Sequence, residues 1–178
     1  MPLRVLGKNG GTDYDIAQAI RYAAGLSNDS GTLPRIGGTA EPADVINMSL
    51  GGSGSCAFSA TFQNAITEAR DAGVIVVVAA GNENTTSATV PASCNGVVAV
   101  GAVDFSGGRA PYSNYGSTNM DLTAPGGNTQ VDENNDGYND GILSTLGDDS
   151  GSPLSFGYVF YQGTSMATPH MAGVVALM

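Results

Sequence analysis

The sequence predicts an α/β fold: a doubly wound parallel sheet with helices on both faces. Three observations carry this. Val74-Ile75-Val76-Val77-Val78-Ala79-Ala80 is an unbroken apolar run, mostly β-branched, between Gly73 and Gly81. A strand covered on both faces reads this way, and the loop at its carboxyl end is where α/β proteins place function. Short apolar runs also alternate with helix-period segments, which implies β-α-β crossovers. Finally, 26 of 178 residues are glycine, about twice the ordinary ~7%, while charged residues are 12% and aromatics 7%. That composition suits one loop-rich, tightly packed enzyme domain and not a disordered chain.

The elements follow in order. Leu3–Leu6 reads as a strand without a lead-in. Residues 13–26 read as a helix, with Ile16, Ile20, Ala23 and Ala24 on one face and Asp13 or Asp15 at its start. Residues 27–41 form a polar loop with Gly and Pro. Val45–Met48 is a strand. Residues 59–72 are a helix that turns Phe62, Ala65, Ile66 and Ala69 inward and stops at Gly73. Residues 74–80 form the central strand, Val97–Val103 another, and 121–124 a short one before Pro125-Gly126-Gly127. Residues 158–161 are a late strand. From Thr164 onward an almost wholly apolar helix, with Met166, Ala167, Met171, Ala172, Val174, Val175 and Leu177, is expected to be buried. The chain stops at Met178 with no Gly, Asn or cation to end that helix. The reading is one domain over residues 1–178, incomplete at both ends.

Sixteen acids against six bases give a net charge of −10, and the sole lysine is Lys8. This argues against nucleic acid or an anionic membrane as partner. No signal peptide and no apolar stretch of membrane length is visible. Cys56 and Cys94 have no Cys or His at metal-ligand spacing.

Gly163-Thr164-Ser165-Met166-Ala167-Thr168-Pro169-His170 holds the chemistry. Gly163 permits a sharp turn, and Thr164 or Ser165 can cap the following helix. A serine there has its hydroxyl fixed beside free backbone N–H donors, which is what acyl transfer needs. Read alone, such a serine is a helix cap. Ala167 rules out the G-x-S-x-G elbow of α/β-hydrolases. The full string resembles the nucleophile motif of the subtilisin-like serine peptidases, the subtilases. Two upstream segments agree in the family's order: residues 74–83, ending in Gly81-Asn82-Glu83, and Ala43 to Gly52, which resembles the family's strand and peptide-binding edge.

The resemblance covers nearly the whole chain and implies a secreted serine endopeptidase with a subtilisin-like fold. It makes Ser165 the nucleophile. It assigns Asn82 the side-chain donor of the oxyanion hole, although Gly81-Asn82 also reads as an ordinary turn. Ser49, Leu50, Gly51 and Gly52, with Ala80 and Gly81, would wall the specificity pocket. Thr89 would lie near its base and Glu83 at its rim, where it would favour a basic side chain if not simply solvated. An extended peptide would pair with the 50–52 edge as an added strand. Val90-Pro91 stands where the family often has a cis peptide. Related secreted subtilases have a disulfide near Cys56 and Cys94, so a Cys56–Cys94 bridge is expected, both cysteines lying in loops at the carboxyl end of the sheet. Two buried free thiols are the alternative.

A subtilase triad needs Asp, His and Ser in that chain order. This chain has one histidine, His170. Five residues after Ser165 on one helix, it lies about 140° around and ~7.5 Å along. It is read as a buried, hydrogen-bonded core histidine. No Asp-Thr-Gly, Asp-Ser-Gly or His-Gly-Thr occurs, so the base and its orienting Asp are expected in an N-terminal segment outside these residues, a partner the domain would need beside its protein or peptide substrate.

Asp132-Glu133-Asn134-Asn135-Asp136-Gly137-Tyr138-Asn139-Asp140 is a second feature. Asp132, Asn134, Asp136 and Asp140 fall at calcium-loop positions 1, 3, 5 and 9, with Gly137 at the turn and the Tyr138 carbonyl at 7. The Glu of position 12 is missing, since Leu143 stands there. A structural Ca2+ loop is expected; a solvated acidic hairpin is the alternative. Two other functions stay open: a peptide-binding pseudoenzyme and a calcium-stabilised structural module.

Overall fold

The computed structural model describes residues 1–36, 39–148, 151 and 154–178. Gly37 and Gly38 of the polar loop lie outside them. Four strands form one parallel sheet: β1 (Val45–Met48), β2 (Ile75–Ala79), β3 (Val97–Val103) and β4 (Leu122–Pro125), in that order. Val45 pairs with Ile75, Val76 with Val97 and Val100 with Leu122. Side chains alternate along a strand, and both sides of β2 are covered. Val76 and Val78 join the core formed by α1 (Asp13–Ala23) and α2 (Ala60–Asp71). Val77 joins the opposite core, against Ala167 of α3 (Thr164–Ala176). This is why residues 74–80 read as a continuous apolar run, and the helices do lie on both faces.

Only one crossover, β1–α2–β2, is a β-α-β unit. The segments joining β2 to β3 and β3 to β4 hold no α-helix, contrary to the alternation read from the sequence. Fully buried asparagines organise them instead. Asn114 accepts the amides of Glu83 and Thr85, and Asn119 accepts that of Thr89. Each side chain supplies backbone partners that a helix would have supplied itself.

Both amphipathic helices end in the same way. Gly25 adopts φ +71° and Gly73 φ +93°. Leu26 N–H then closes on the Arg21 carbonyl at 2.8 Å and Val74 N–H on Ala69 at 3.0 Å. These are six-to-one closures with glycine in the left-handed position. At the start of α1 the cap is Thr12, not Asp13 or Asp15. The Thr12 hydroxyl oxygen accepts Asp15 N–H at 3.1 Å, and Asp15 accepts the Thr12 hydroxyl at 2.7 Å. Two short strand pairs complete this part, Arg35–Ile36 with Thr39–Ala40 and Gly52–Ser53 with Thr89–Val90.

Four further expectations are corrected. Leu3–Leu6 is not a strand, because nothing among the described residues pairs with it; Val5 is instead half-buried against the α1 core. The late strand is longer than read: β5 (Ile142–Asp148) and β6 (Ser155–Tyr161) form an antiparallel hairpin. Its side chains are mostly exposed on both faces, so no apolar alternation marked β5. The expected Cys56–Cys94 bridge is present, joined across 38 positions with Cα atoms 4.9 Å apart, but its place differs. Cys94 lies three residues before β3, at the amino end of the sheet, and both half-cystines are buried in the α1/α2 core. Lastly, α3 buries only Thr164, Ala167 and Thr168, and Val174 is 51% exposed. Its inner side rests on the four parallel strands, with Met171 and Ala172 half-buried there, while nothing among the described residues covers its outer side. Val90–Pro91, where the residues alone favour trans, is cis.

Candidate active site

Ser165 occupies the first turn of α3, at the carboxyl end of the sheet. Neither Thr164 nor Ser165 caps that helix. The cap is Gly163, whose φ of +149° and ψ of 158° lie where only glycine is comfortable. Both side chains are therefore free for other work.

Thr164, fully buried, ties the helix to the end of β2. Asn82 Oδ1 accepts both Thr164 N–H at 2.8 Å and its hydroxyl at 3.0 Å, while Thr164 Oγ1 accepts Gly81 N–H at 3.2 Å. These bonds fix which way the Asn82 amide faces. Its oxygen is committed to Thr164, so Nδ2 is left as a donor, and it has no hydrogen-bond partner among the described residues. Nor has Ser165 N–H such a partner. The two unpartnered donors thus come from the end of β2 and the first turn of α3, and both residues line one cavity.

A proline sets the next contact. Pro169 lacks an N–H, so the Ser165 carbonyl, four residues earlier, has no helical donor. Ser49 Oγ donates to it at 2.8 Å. Ser165 Oγ in turn lies 3.4 Å from the Ser49 carbonyl. Ser49 thus clamps the nucleophile turn to the end of β1 and does not line the pocket. The cavity beside Ser165 measures about 260 Å3 and is walled by Leu50, Gly51, Gly52, Gly81, Glu83 and Thr89 among others. Ala79 lines it where Ala80 was expected. Ala80 is buried, its carbonyl accepting Thr89 Oγ1 and Asn114 Nδ2, each at 3.0 Å.

Glu83 is at the rim, but Asn114 Nδ2 donates to its Oε2 at 2.7 Å, which holds that oxygen at the oxyanion loop. Gly81 sits at φ +105°, and a Cβ there would strike the Asn114 amide. His170 is exposed and not a core residue. Its Nδ1 lies 2.8 Å from the Met166 carbonyl, which can only accept, so Nδ1 carries the proton. The exposure follows from the uncovered outer side of α3.

Tyr112 carries no signal in the sequence. Its hydroxyl accepts Gly163 N–H at 2.9 Å and reaches the Gly126 and Gly127 carbonyls at 2.8 and 2.7 Å. It braces the turn carrying Ser165 from below. Burial pushes its pKa up to about 12, against the lowering effect of the Gly163 amide, so the phenol stays neutral. The acidic loop closes on itself. Asp132 accepts the amides of Asp136 and Gly137, Asn134 that of Asp136, Asp136 that of Tyr138, and Asp140 that of Glu133. Among the described residues these side chains do not converge on one metal-sized point.

The model of the subtilase family matches residues 1–178. The extracellular protease of Xanthomonas campestris pv. campestris is 49% identical over all of this chain and 27% of its own length. The extracellular basic protease of Dichelobacter nodosus is 42% identical over all of this chain and 26% of its own. A solved protease from Pseudoalteromonas arctica PAMC 21717 matches with a TM-score of 0.85 and 53% identity, over 99% of this chain and 49% of that one. The chain thus spans about a quarter of the length of these curated relatives.

Proposed function

The chain belongs to the subtilase family, and we propose that it supplies the nucleophile, the oxyanion donors and part of the peptide cleft of a secreted serine endopeptidase. One observation carries this reading: among the described residues, Ser165 N–H and Asn82 Nδ2 are both without partners beside the Ser165 hydroxyl. In acylation, Ser165 Oγ attacks the scissile carbonyl carbon and loses its proton to a base. Charge gathers on the carbonyl oxygen, and the two donors receive it. The C–N bond then breaks, the amine leaving with that proton, and water releases the acyl group by the reverse roles. The substrate lies as an added strand along residues 50–52, with its specificity side chain in the 260 Å3 cavity. The small walls suit a large apolar side chain.

His170 is not the base: five residues after Ser165 on the same helix, it lies about 140° around the axis from the nucleophile, with its Nδ1 bonded to the Met166 carbonyl of its own helix. We place the base and its orienting carboxylate in polypeptide outside these 178 residues, a segment completing the same domain. The test supplies that segment from a relative. A serine-directed phosphonate should then label Ser165, and Asn82→Leu should lower kcat by about 10²–10³ with KM little changed. Labelling that survives Ser165→Ala, or an Asn82→Leu enzyme with full kcat, would defeat the assignment. The relatives named extracellular support secretion.

Calcium binding is common among subtilases, and Asp132, Asn134, Asp136, the Tyr138 carbonyl and Asp140 are the oxygens that would hold it here. Their support is the donor set: hard oxygen atoms on one short loop, held by amide bonds that leave lone pairs unused. Calcium at 100 times its dissociation constant stabilises a folded state by about 2.7 kcal/mol. Melting in calcium should therefore exceed melting in chelator, and Asp136→Ala should abolish the difference. Coincident curves for the unaltered chain would remove calcium from the account.

A further inference from the structure

Beyond the carboxyl ends of β3 and β4 lies a second cavity, of about 360 Å3, with three aromatic side chains and three carboxylates in its wall: Phe105, Tyr138, Phe160, Asp104, Asp136 and Asp140. The rings are not core residues. Phe105 is 61% exposed, Tyr138 64% and Phe160 37%. Tyr138 and Phe160 stack with centroids 5.8 Å apart. No lysine or arginine lines the space. The carboxylates are held in place without a cation. Asp104 Oδ1 accepts Gly108 N–H at 3.0 Å and the Ser106 hydroxyl at 2.8 Å, leaving Oδ2 with no hydrogen-bond partner among the described residues. Asp140 Oδ2 accepts Glu133 N–H at 2.6 Å, leaving Oδ1 likewise.

Ring faces are electron-rich and attract cations, most strongly where water is partly excluded. Exposed aromatic walls also bury an apolar stem. Carboxylate oxygens favour the charged head. A group with both a stem and a head is a lysine or arginine side chain. We propose that this cavity receives one such side chain from an extended polypeptide. The occupant matches in charge, since this wall is acidic and the chain as a whole is −10. The site is also continuous with the nucleophile turn. Its wall includes Gly127, and the neighbouring Gly126 carbonyl accepts Gly163 N–H at 3.0 Å. Phe160 stands five residues before Ser165. Identifying that polypeptide as the substrate rests on the peptidase reading; the cation site does not.

The experiment is fluorescence anisotropy of the 178-residue chain in chelator, since Asp136 and Asp140 are also the loop's calcium oxygens. The probes are two labelled alanine-glycine decapeptides, one with a central arginine and one with its neutral isostere citrulline. The arginine peptide should bind about tenfold more tightly. Phe105→Leu and Tyr138→Leu should each weaken it by about threefold to tenfold and leave the citrulline peptide unchanged. Equal binding of the two peptides would overturn the proposal. So would Leu variants that alter both peptides alike, which would make the site an apolar groove, or neither. Ser165→Ala should have no effect on this binding, so its failure and failure of the phosphonate assay are separate results.

Discussion

Assayed alone on a chromogenic peptide, the 178-residue chain should show almost no turnover. A serine hydroxyl is a weak nucleophile until a base accepts its proton. Among the described residues the one hydrogen-bond partner of Ser165 Oγ is the Ser49 carbonyl, at 3.4 Å, and a backbone carbonyl is no base. The single histidine of the sequence lies five residues further along the same helix, about 140° around from Ser165, and its Nδ1 is bonded to the Met166 carbonyl. In subtilisin itself, loss of the triad serine or histidine lowers kcat by about 2 × 10⁶; that figure is borrowed from that enzyme. A residue of roughly 10³–10⁴ over water survives there through the oxyanion hole and binding. The same deficit is expected here, with the remainder sensitive to Asn82→Leu because the donors do not depend on the base. Beside a Ser165→Ala control, robust turnover that the control abolishes would prove that a base exists within this sequence. The position given to His170 would then be wrong.

What the sequence made legible, and what it hid, divides along one physical line. Strings that fix backbone geometry were readable. The β-branched run 74–80 could only be a covered strand, the Gly163 turn could only start a helix sharply, and Gly73 could only end one; Gly25 was passed over, the first helix being read to residue 26 where it ends at Ala23. Side chains that act on distant backbone were not. Asn114 and Asn119 take the amides of Glu83, Thr85 and Thr89, about thirty positions away. Tyr112 takes that of Gly163 across 51 positions. A single chain has no local pattern that announces such partners, since Asn and Tyr in a loop are ordinary residues. Ser49 is the intermediate case. Pro169 leaves the Ser165 carbonyl without a donor, so the need for a donor is written in the sequence, whereas its identity is not.

The burial of α3 failed for a related reason. Its composition is apolar all round, and such a helix asks to be covered on every side. Composition states that demand without saying which residues meet it. Among the described residues the strands bury Thr164, Ala167 and Thr168 and half-cover Met171 and Ala172, while His170 is exposed with the outer side. A histidine placed by helix periodicity inherits whatever error is made about the helix.

Removing the Cys56–Cys94 bridge should lower stability by about 4 kcal/mol, the loop-closure entropy expected for 38 positions. The reasoning turns on which state the bridge changes. In the folded chain its surroundings are held without it. Ser93 Oγ accepts Cys56 N–H at 3.0 Å, and Gln63 makes two bonds to the Asn95 backbone at 2.9 and 3.0 Å. The Gly52–Ser53 and Thr89–Val90 pair, which forms a wall of the pocket, lies just before each half-cystine in the chain. The native geometry therefore persists, and the loss comes chiefly from an unfolded chain set free. Cys56→Ala with Cys94→Ala should shift the denaturant midpoint down by that amount. The slope should also rise, because an uncrosslinked unfolded chain exposes more surface. The two buried sulfur atoms add a smaller packing loss. A difference under about 1 kcal/mol with an unchanged slope would show that the unfolded chain is already confined between these positions. The bridge would then contribute only through the atoms it packs.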